Sequence, residues 1–137
     1  MDESRWSPEQ AQLETLLNKC RQETNTEKLF NHLMAVKTFL IAHAIQQSTL
    51  LHQIQDGRVV QGKFEDKLIK ECAECVGETH KVMQLLHKVL RHYEKKGQDS
   101  MEFRVDATRL ISRFDRSLNR FRDWFADYHQ KSVDASA

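Results

Sequence analysis

The scarcity of glycine and proline constrains the fold of this chain more than any other feature of its sequence. Only four glycines and one proline occur in 137 residues. A β-sandwich, a barrel or a βαβ protein needs a turn about every twelve residues, and turns depend on these residue types. Hydrophobic residues make up 39% of the chain, which is too many for a disordered protein. The sequence therefore predicts one folded domain of long helices, with no sheet.

A capping motif near the start of the chain opens the first predicted helix. Ser7 can cap the helix, Pro8 fits its first position, and the helix ends near Gln22. One short apolar face follows the i, i+3, i+4, i+7 spacing and consists of Leu13, Leu16, Leu17 and Cys20. We expect a short helix packed on the side or end of a bundle, preceded by a flexible N-terminus over residues 1–6.

Three longer helices are predicted after it. Capping boxes at Thr24 and Asp99, each with a glutamate three residues later, open the second and fourth helices. A glycine after two lysines, Gly97, suits the left-handed cap that ends the third helix. The predicted helices span residues 24–56, 63–95 and 99–130. Residues 7–131 thus form a single domain, and residues 132–137 are expected to be a flexible tail.

Each long helix carries an apolar seam, a row of inward-facing residues that alternate in four- and three-residue spacing. The connections between these helices are short, and short connections favour antiparallel neighbours. The predicted fold is therefore all-α, an antiparallel up-down three-helix bundle of long helices plus a short N-terminal helix, four helices in total. This general shape resembles spectrin-type repeats and the three-helix regulatory domains of membrane-fusion proteins.

A second apolar row lies beside the seam of the second helix. It consists of Phe30, Met34, Ile41 and Ile45. The same helix has no Asp, Glu, Lys or Arg from residue 38 to residue 55. A helix that is apolar over this much of its circumference should contact more than one neighbour. Either the short first helix covers the row, or the row is an exposed patch that binds a partner; we favour the interface.

An arginine stripe marks the fourth helix. Its members fall at i, i+4, i+7 and i+11 and are Arg109, Arg113, Arg116 and Arg120. Arginine presents a flat fork of donors to carboxylates and phosphates. Such a stripe is more often a solvated face paired with acids on neighbouring helices, here Glu71, Glu74 and Glu78. The alternative is a docking strip for an acidic protein segment or a phospholipid headgroup.

No catalytic, cofactor or metal signature is present. The chain has neither a nucleophile elbow nor a phosphate-binding glycine loop, and the Glu-x-x-His pairs of helical metal sites are missing. His43 falls on a seam and is expected to be a core or interface histidine. Cys72 and Cys75 form a C-x-x-C in mid-helix, where we expect two small core residues and free thiols. Gly77, which weakens a helix, predicts close helix packing or a kink.

The net charge, the lack of long apolar segments and the number of cysteines indicate where in the cell the protein is located. The net charge of +1 is far from the basic balance of a dedicated nucleic-acid-binding domain. The sequence contains neither an apolar signal segment nor a stretch apolar enough to span a membrane, and three cysteines are few for a disulfide scaffold. These features predict an intracellular protein, more in keeping with the cytoplasm than with the nucleus.

Together these observations predict a non-enzymatic protein–protein interaction module, a scaffold, adaptor or complex subunit. The expected partner is another protein that offers a helical or an acidic segment, and homo-oligomerisation stays open. No cofactor and no small-molecule substrate are expected. The alternative function is an anionic-ligand binder, which would hold a nucleic acid or a phospholipid surface through the arginine stripe. An enzyme with an unrecognised site ranks third.

Overall fold

The structure, a computed structural model, describes residues 8–56 and 63–136 of the chain. Helices account for 93% of these described residues, and none of them lies in a strand. The prediction of an all-helical fold with four helices is therefore confirmed. The helices are α1 (Pro8–Gln22), α2 (Thr26–Gln55), α3 (Lys63–Lys96) and α4 (Met101–Ser136).

The N-caps of α2 and α4 each lie one residue after the predicted ones. The side chain of Asn25, not that of Thr24, accepts a hydrogen bond from the backbone N–H three residues later, at 2.9 Å. Likewise Ser100, not Asp99, accepts from the N–H three residues later, at 3.1 Å. Both predictions were wrong because two good capping residues stand side by side at each helix start. The predicted cap Ser7 lies outside the described residues.

The helix ends agree more closely with the sequence pattern. The left-handed cap predicted after α3 is confirmed, because Gly97 has φ of 98° and its N–H donates to the carbonyl of Tyr93 at 2.9 Å. The last helix continues to Ser136, beyond its predicted end near Gln130. The flexibility predicted for residues 132–137 stays a prediction.

The four helices pack as a bundle in which each helix has two main neighbours, and α2 also meets α4 across the core through the rings of His43 and Phe121. Contacts join α1 to α2, α2 to α3, α3 to α4, and α1 to α4. The short α1 lies along the side of the bundle and buries Leu13, Leu17 and Cys20 in the same apolar cluster as the seam residues of the other helices. It is therefore part of the core rather than an appendage.

The core consists of two apolar clusters with polar side chains between them. The larger cluster reaches Leu40 along α2, and the smaller one includes Ile54 of that helix. Between these positions α2 buries His43 and Gln47, and α3 buries Thr79. Burying polar groups opposes folding unless they are hydrogen-bonded, and the side-chain amide of Gln47 and the hydroxyl of Thr79 have no hydrogen-bond partner among the described residues.

Gly77 of α3 does not serve the packing of the described chain. The residue is exposed, and a Cβ atom built on it would meet no heavy atom within 4 Å. Of the two explanations offered for this glycine, close packing of another helix of the chain was therefore wrong, and the kink stays a prediction. The glycine leaves an open space on the outer face of α3.

Candidate interaction surface

The second apolar row of α2 is largely exposed. Met34, Ile41 and Ile45 keep 49%, 42% and 61% of their surface accessible. Their spacing of seven and four residues places them on one face of the helix. Phe30, the fourth predicted member, differs because it packs against the large core cluster with its ring centroid 6.1 Å from that of Phe103. Three of the four predicted residues thus share one exposed face of α2.

The first helix does not cover this row. Glu23, just after α1, accepts a hydrogen bond from His32 of α2 at 3.0 Å, which places the α1 side of the bundle against the flank that carries His32. At about 100° per residue, His32 and Met34 point to nearly opposite sides of α2. The apolar face of α1 is used in the core instead. Of the two arrangements left open by the sequence, the exposed row is the one found.

A shallow apolar groove between α2 and α3 adjoins the row. Its volume is about 260 Å³, and its floor and walls are formed by Leu40, Ile41, Met83 and Leu86. The rim includes Lys37 of α2 and His87 of α3, whose side-chain nitrogens lie 3.2 Å apart. We call the groove and the exposed row together the α2–α3 surface; its residues are Met34, Lys37, Leu40, Ile41, Ile45, Met83, Gln84, Leu86 and His87. Ile41 belongs to both parts.

The segments of α2 and α3 that form the α2–α3 surface contain no acidic residue. No Asp or Glu occurs in α2 after Glu27, and none occurs in α3 from residue 79 to residue 93. Two carboxylates nearby, Glu74 and Glu78, bind arginines of α4 and therefore lie on the other side of α3. Exposed basic or ionisable groups of this part of α3 include His80, Lys81, His87, Lys88 and Arg91. The surface is apolar along its centre and basic around it.

Half of the arginine stripe is paired within the fold. Arg113 donates to Glu78 at 2.9 Å, and Arg120 forms an ion pair with Glu74. The hydrogen bond from Arg113 holds the pKa of the Glu78 carboxyl below its usual value. The pairing with acids of α3 is thus found at two of the three predicted glutamates. Glu71 instead lies 3.8 Å from an amine of its own helix, that of Lys67.

The other two members of the stripe stay exposed. Arg109 and Arg116 form no ion pair with any residue that the structure describes. The neighbouring Arg104 donates to the carbonyl groups of Glu23 and Thr24 and so ties α4 to the α1–α2 turn. The fourth helix therefore uses arginine mainly for contacts within the bundle.

His43 is a core residue, as its place on the seam predicted. Its ring is 2% exposed and meets the ring of Phe121 edge to face, with centroids 5.3 Å apart. Burial lowers the pKa of the imidazole to about 4 because the charged form is poorly solvated there. Within residues 8–56 and 63–136 no cluster of three or more His, Cys, Asp or Glu side chains is arranged to hold a metal ion.

The cysteines are free and buried. Cys72 and Cys75 pack in the smaller core cluster, and Cys20 packs in the larger one. Burial raises the pKa of Cys72 to about 12 and that of Cys20 to about 11. A thiol with so high a pKa is protonated at neutral pH, and the thiolate is the reactive form. The two residues of the C-x-x-C thus fill the core as small side chains.

Sequence reasoning found the exposed row of α2 and missed the groove between α2 and α3. Lys37, Met83 and His87 were not among the predicted site residues. The available signal was a row of apolar residues at seven-residue spacing beside the α3 seam, together with the lack of acids after residue 78. That signal identifies a groove only when the register between α2 and α3 is known.

Comparisons with known proteins give no family assignment. No family model, no curated protein and no solved structure matches the chain. Within the described helices none is long and apolar enough to cross a membrane.

Proposed function

We propose that this protein is a non-enzymatic interaction module that binds a helix of another protein along the α2–α3 surface. The observation that carries the proposal is the exposed row of Met34, Ile41 and Ile45 beside an apolar groove. Helix-in-groove recognition places anchors of an amphipathic helix, spaced three and four residues apart, in such a groove. Contiguous exposed apolar side chains are typical of interaction sites.

The bundle supports this role as a rigid scaffold. We propose that neighbouring helices run antiparallel, up and down. In support, Glu74 contacts Arg120 whereas Glu78, four residues later, contacts Arg113, so the order of contacts reverses between α3 and α4. A site carried on packed helices holds its anchor residues in fixed relative positions.

An intracellular location, in the cytoplasm rather than the nucleus, is part of the proposal. It is supported by three buried cysteines that are all unpaired, since disulfides are rare in reducing compartments. A scaffold or adaptor of this kind needs neither a cofactor nor a small-molecule substrate.

The second candidate function is the binding of an anionic ligand through the arginine stripe. Arg109 and Arg116 are exposed and have no ion pair with a described residue, which favours it. Arg113 and Arg120 are engaged by glutamates, which leaves two available cations where four were expected. Two exposed arginines are a small footprint for a phosphate backbone, so the α2–α3 surface is the better supported site.

The test is the double variant Ile41→Asp with Ile45→Asp. We expect it to stay folded, because both side chains are exposed, and to lose the proteins that copurify with the tagged wild type from its native cells. The matched control is Thr108→Asp with Ser112→Asp, two exposed positions at the same spacing on α4, a different helix of the bundle. Copurification that is unchanged in the isoleucine variant would contradict the proposal. Unfolding of that variant, seen by circular dichroism, would show that these residues are core and would also contradict it.

A further inference from the structure

We infer that the helix bound on the α2–α3 surface is acidic and that it approaches α3 most closely over Gly77. This inference rests on the proposed function and adds the charge of the partner and its point of contact. It commits to a helix of another protein rather than to a second copy of this chain or a lipid surface.

Charge complementarity supports an acidic partner. The carboxylates that α3 does carry near the groove, Glu74 and Glu78, are occupied by arginines of α4. The flank of α3 that continues from Gln84 and His87 of the groove presents His80 and Arg91, and Lys37 of α2 stands at the groove rim. Because the α2–α3 surface itself holds no carboxylate, these basic groups favour acidic residues on the flanks of a bound helix and disfavour basic ones.

The same charge distribution argues against a second copy as the occupant. Two such surfaces facing each other would bring Lys37 and its neighbours on α3 against the same basic groups of the other copy. Neither surface holds a carboxylate that could pair with them, since α2 has none after Glu27 and α3 has none from residue 79 to residue 93. Like charges brought together in an interface weaken it.

The position of Gly77 supports a close approach of a helix backbone. Lys37 contacts His87, and Ile41 lines the groove with Met83, so residues later in α2 lie beside residues earlier in α3. One turn beyond Ile41, Ile45 is therefore at the level of the helical turn that contains Gly77. A Cβ atom at Gly77 would project into open space. Glycine at such a place lets another backbone come near.

A flat lipid surface would use this geometry poorly. A bilayer needs exposed apolar side chains and basic groups on one convex face. Here the apolar surface includes a groove between two helices, and the exposed Gly77 adds no apolar side chain that could enter a bilayer. A rod-shaped ligand, such as a helix, matches a groove that runs between two helices.

The charge of the partner is tested with two synthetic peptides. Both are fluorescent amphipathic helices of about 18 residues, or five turns, with leucines at i, i+3, i+4 and i+7. One carries glutamate at the flanking positions and the other lysine. We expect the glutamate peptide to bind wild-type protein at least about 10-fold more tightly in fluorescence anisotropy at low salt, with the difference shrinking as ionic strength rises.

The contact at Gly77 is tested by Gly77→Leu. Because leucine favours a helix more than glycine does and the space is open, we expect the midpoint of thermal unfolding to rise by roughly 3 °C. Binding of the glutamate peptide should weaken about 10-fold or more, because the leucine side chain holds the bound backbone away. The control is Ser112→Leu, which adds the same side chain to an exposed position of α4 and should leave binding unchanged.

The outcomes separate the inference from the proposed function. If the protein binds both peptides equally, or binds neither, the inference that the partner is acidic is overturned. If the Gly77→Leu variant binds the glutamate peptide as tightly as the wild type does, the close approach of the bound helix over Gly77 is overturned. Two further outcomes would overturn the inference. The first is cosedimentation of the protein with anionic phosphatidylserine vesicles, and the second is a concentration-dependent dimer in light scattering. Either one counts if the double variant Ile41→Asp with Ile45→Asp abolishes it. The proposed function fails separately, if that double variant keeps the copurifying proteins of the wild type.

Discussion

Arg113 of α4 donates hydrogen bonds from Nε and Nη2 to the two carboxylate oxygens of Glu78 on α3, at 2.9 and 3.4 Å. The pair ties α3 to α4 and fixes the side of α3 on which this negative charge lies. The opposite side, which faces α2, carries no carboxylate over residues 79–93. Because Arg113 holds the carboxylate of Glu78 on the α4 side, this carboxylate adds no negative charge to the α2–α3 surface.

The strength of this pair is the first prediction. A double-mutant cycle with Arg113→Ala and Glu78→Ala should give a small favourable coupling energy in urea unfolding, because both groups are partly exposed to solvent. The coupling should shrink at high salt. The exposed pair Lys67–Glu71 is the matched control and should give a smaller value. A coupling of zero at low salt would mean that the hydrogen bonds are not formed in solution.

The pH dependence of the pair has a definite sign. The hydrogen bond from Arg113 lowers the pKa of Glu78 in the folded protein below its ordinary value of 4.5. The stabilisation is therefore fully present above pH 4.5 and is lost as the pH falls through the lower, folded pKa. The coupling energy measured at pH 7 should disappear in strong acid. Coupling that persists there would show that packing, not charge, joins the two side chains.

Phe114→Ala should be among the most destabilising substitutions in α4. The ring is 3% exposed in the larger core cluster. Truncating a large buried aromatic side chain costs about 3–5 kcal/mol, since transfer energy is lost and a cavity remains. Val105→Ala, at an exposed position of the same helix, should change the free energy of unfolding by less than about 0.5 kcal/mol. Equal effects of the two substitutions in denaturant unfolding would place the seam on the wrong face.

His43 should make the protein sensitive to mild acid. Its pKa is about 4 when folded, so below the ordinary value of 6.5 the unfolded chain takes up a proton that the folded protein does not. Stability is therefore complete above pH 6.5 and falls between pH 6.5 and 4. At pH 5 the loss should be about 2 kcal/mol. In His43→Leu the loss over this pH range should be smaller by that amount, and an unchanged pH profile would contradict the burial of the neutral ring.

The three thiols should be unreactive in the folded protein. Burial raises their pKa values, so a disulfide reagent such as DTNB should react only on unfolding and then with all three. Cys72→Ser with Cys75→Ser should lower stability, by about 1–3 kcal/mol for each hydroxyl left without a partner, and should leave binding intact. Fast labelling of the native protein, or loss of a bound metal in the double variant, would contradict a purely structural role.

The sequence was informative wherever a local pattern determines the structure. Four helices and their seams follow from the 3–4 spacing and from the lack of turn residues, and both are local properties. The caps were misplaced by one residue because Thr24 and Asn25, like Asp99 and Ser100, are all good capping residues. Local pattern alone does not choose between such neighbours.

The candidate surface depends on how the helices pack against one another, which the sequence pattern of a single helix does not specify. Whether α1 covers Met34 and Ile41 is decided by the side of α2 on which α1 packs, and its leucines suit either side. The register between α3 and α4 decides which arginines meet Glu74 and Glu78, so the stripe could be recognised but not divided into paired and exposed members. The groove at Met83 required the register between α2 and α3. These relationships are tertiary, and the sequence specifies them only through the packing of the whole core.

The polar layer between the two core clusters leads to the last prediction. Both amide atoms of Gln47 and the hydroxyl of Thr79 are buried, and among the described residues they have no hydrogen-bond partner. A buried polar atom without a partner costs about 1–3 kcal/mol, because it has lost its bonds to water. Gln47→Leu and Thr79→Val keep nearly the same volume and remove that cost, so each should raise the free energy of unfolding by about 1 kcal/mol or more in urea titration. Gln53→Leu, at an exposed position of α2, is the control and should change it by less than about 0.5 kcal/mol. A loss of stability in both core variants would contradict the prediction, because it would mean that Gln47 and Thr79 are hydrogen-bonded in solution and that the layer contributes to the fold.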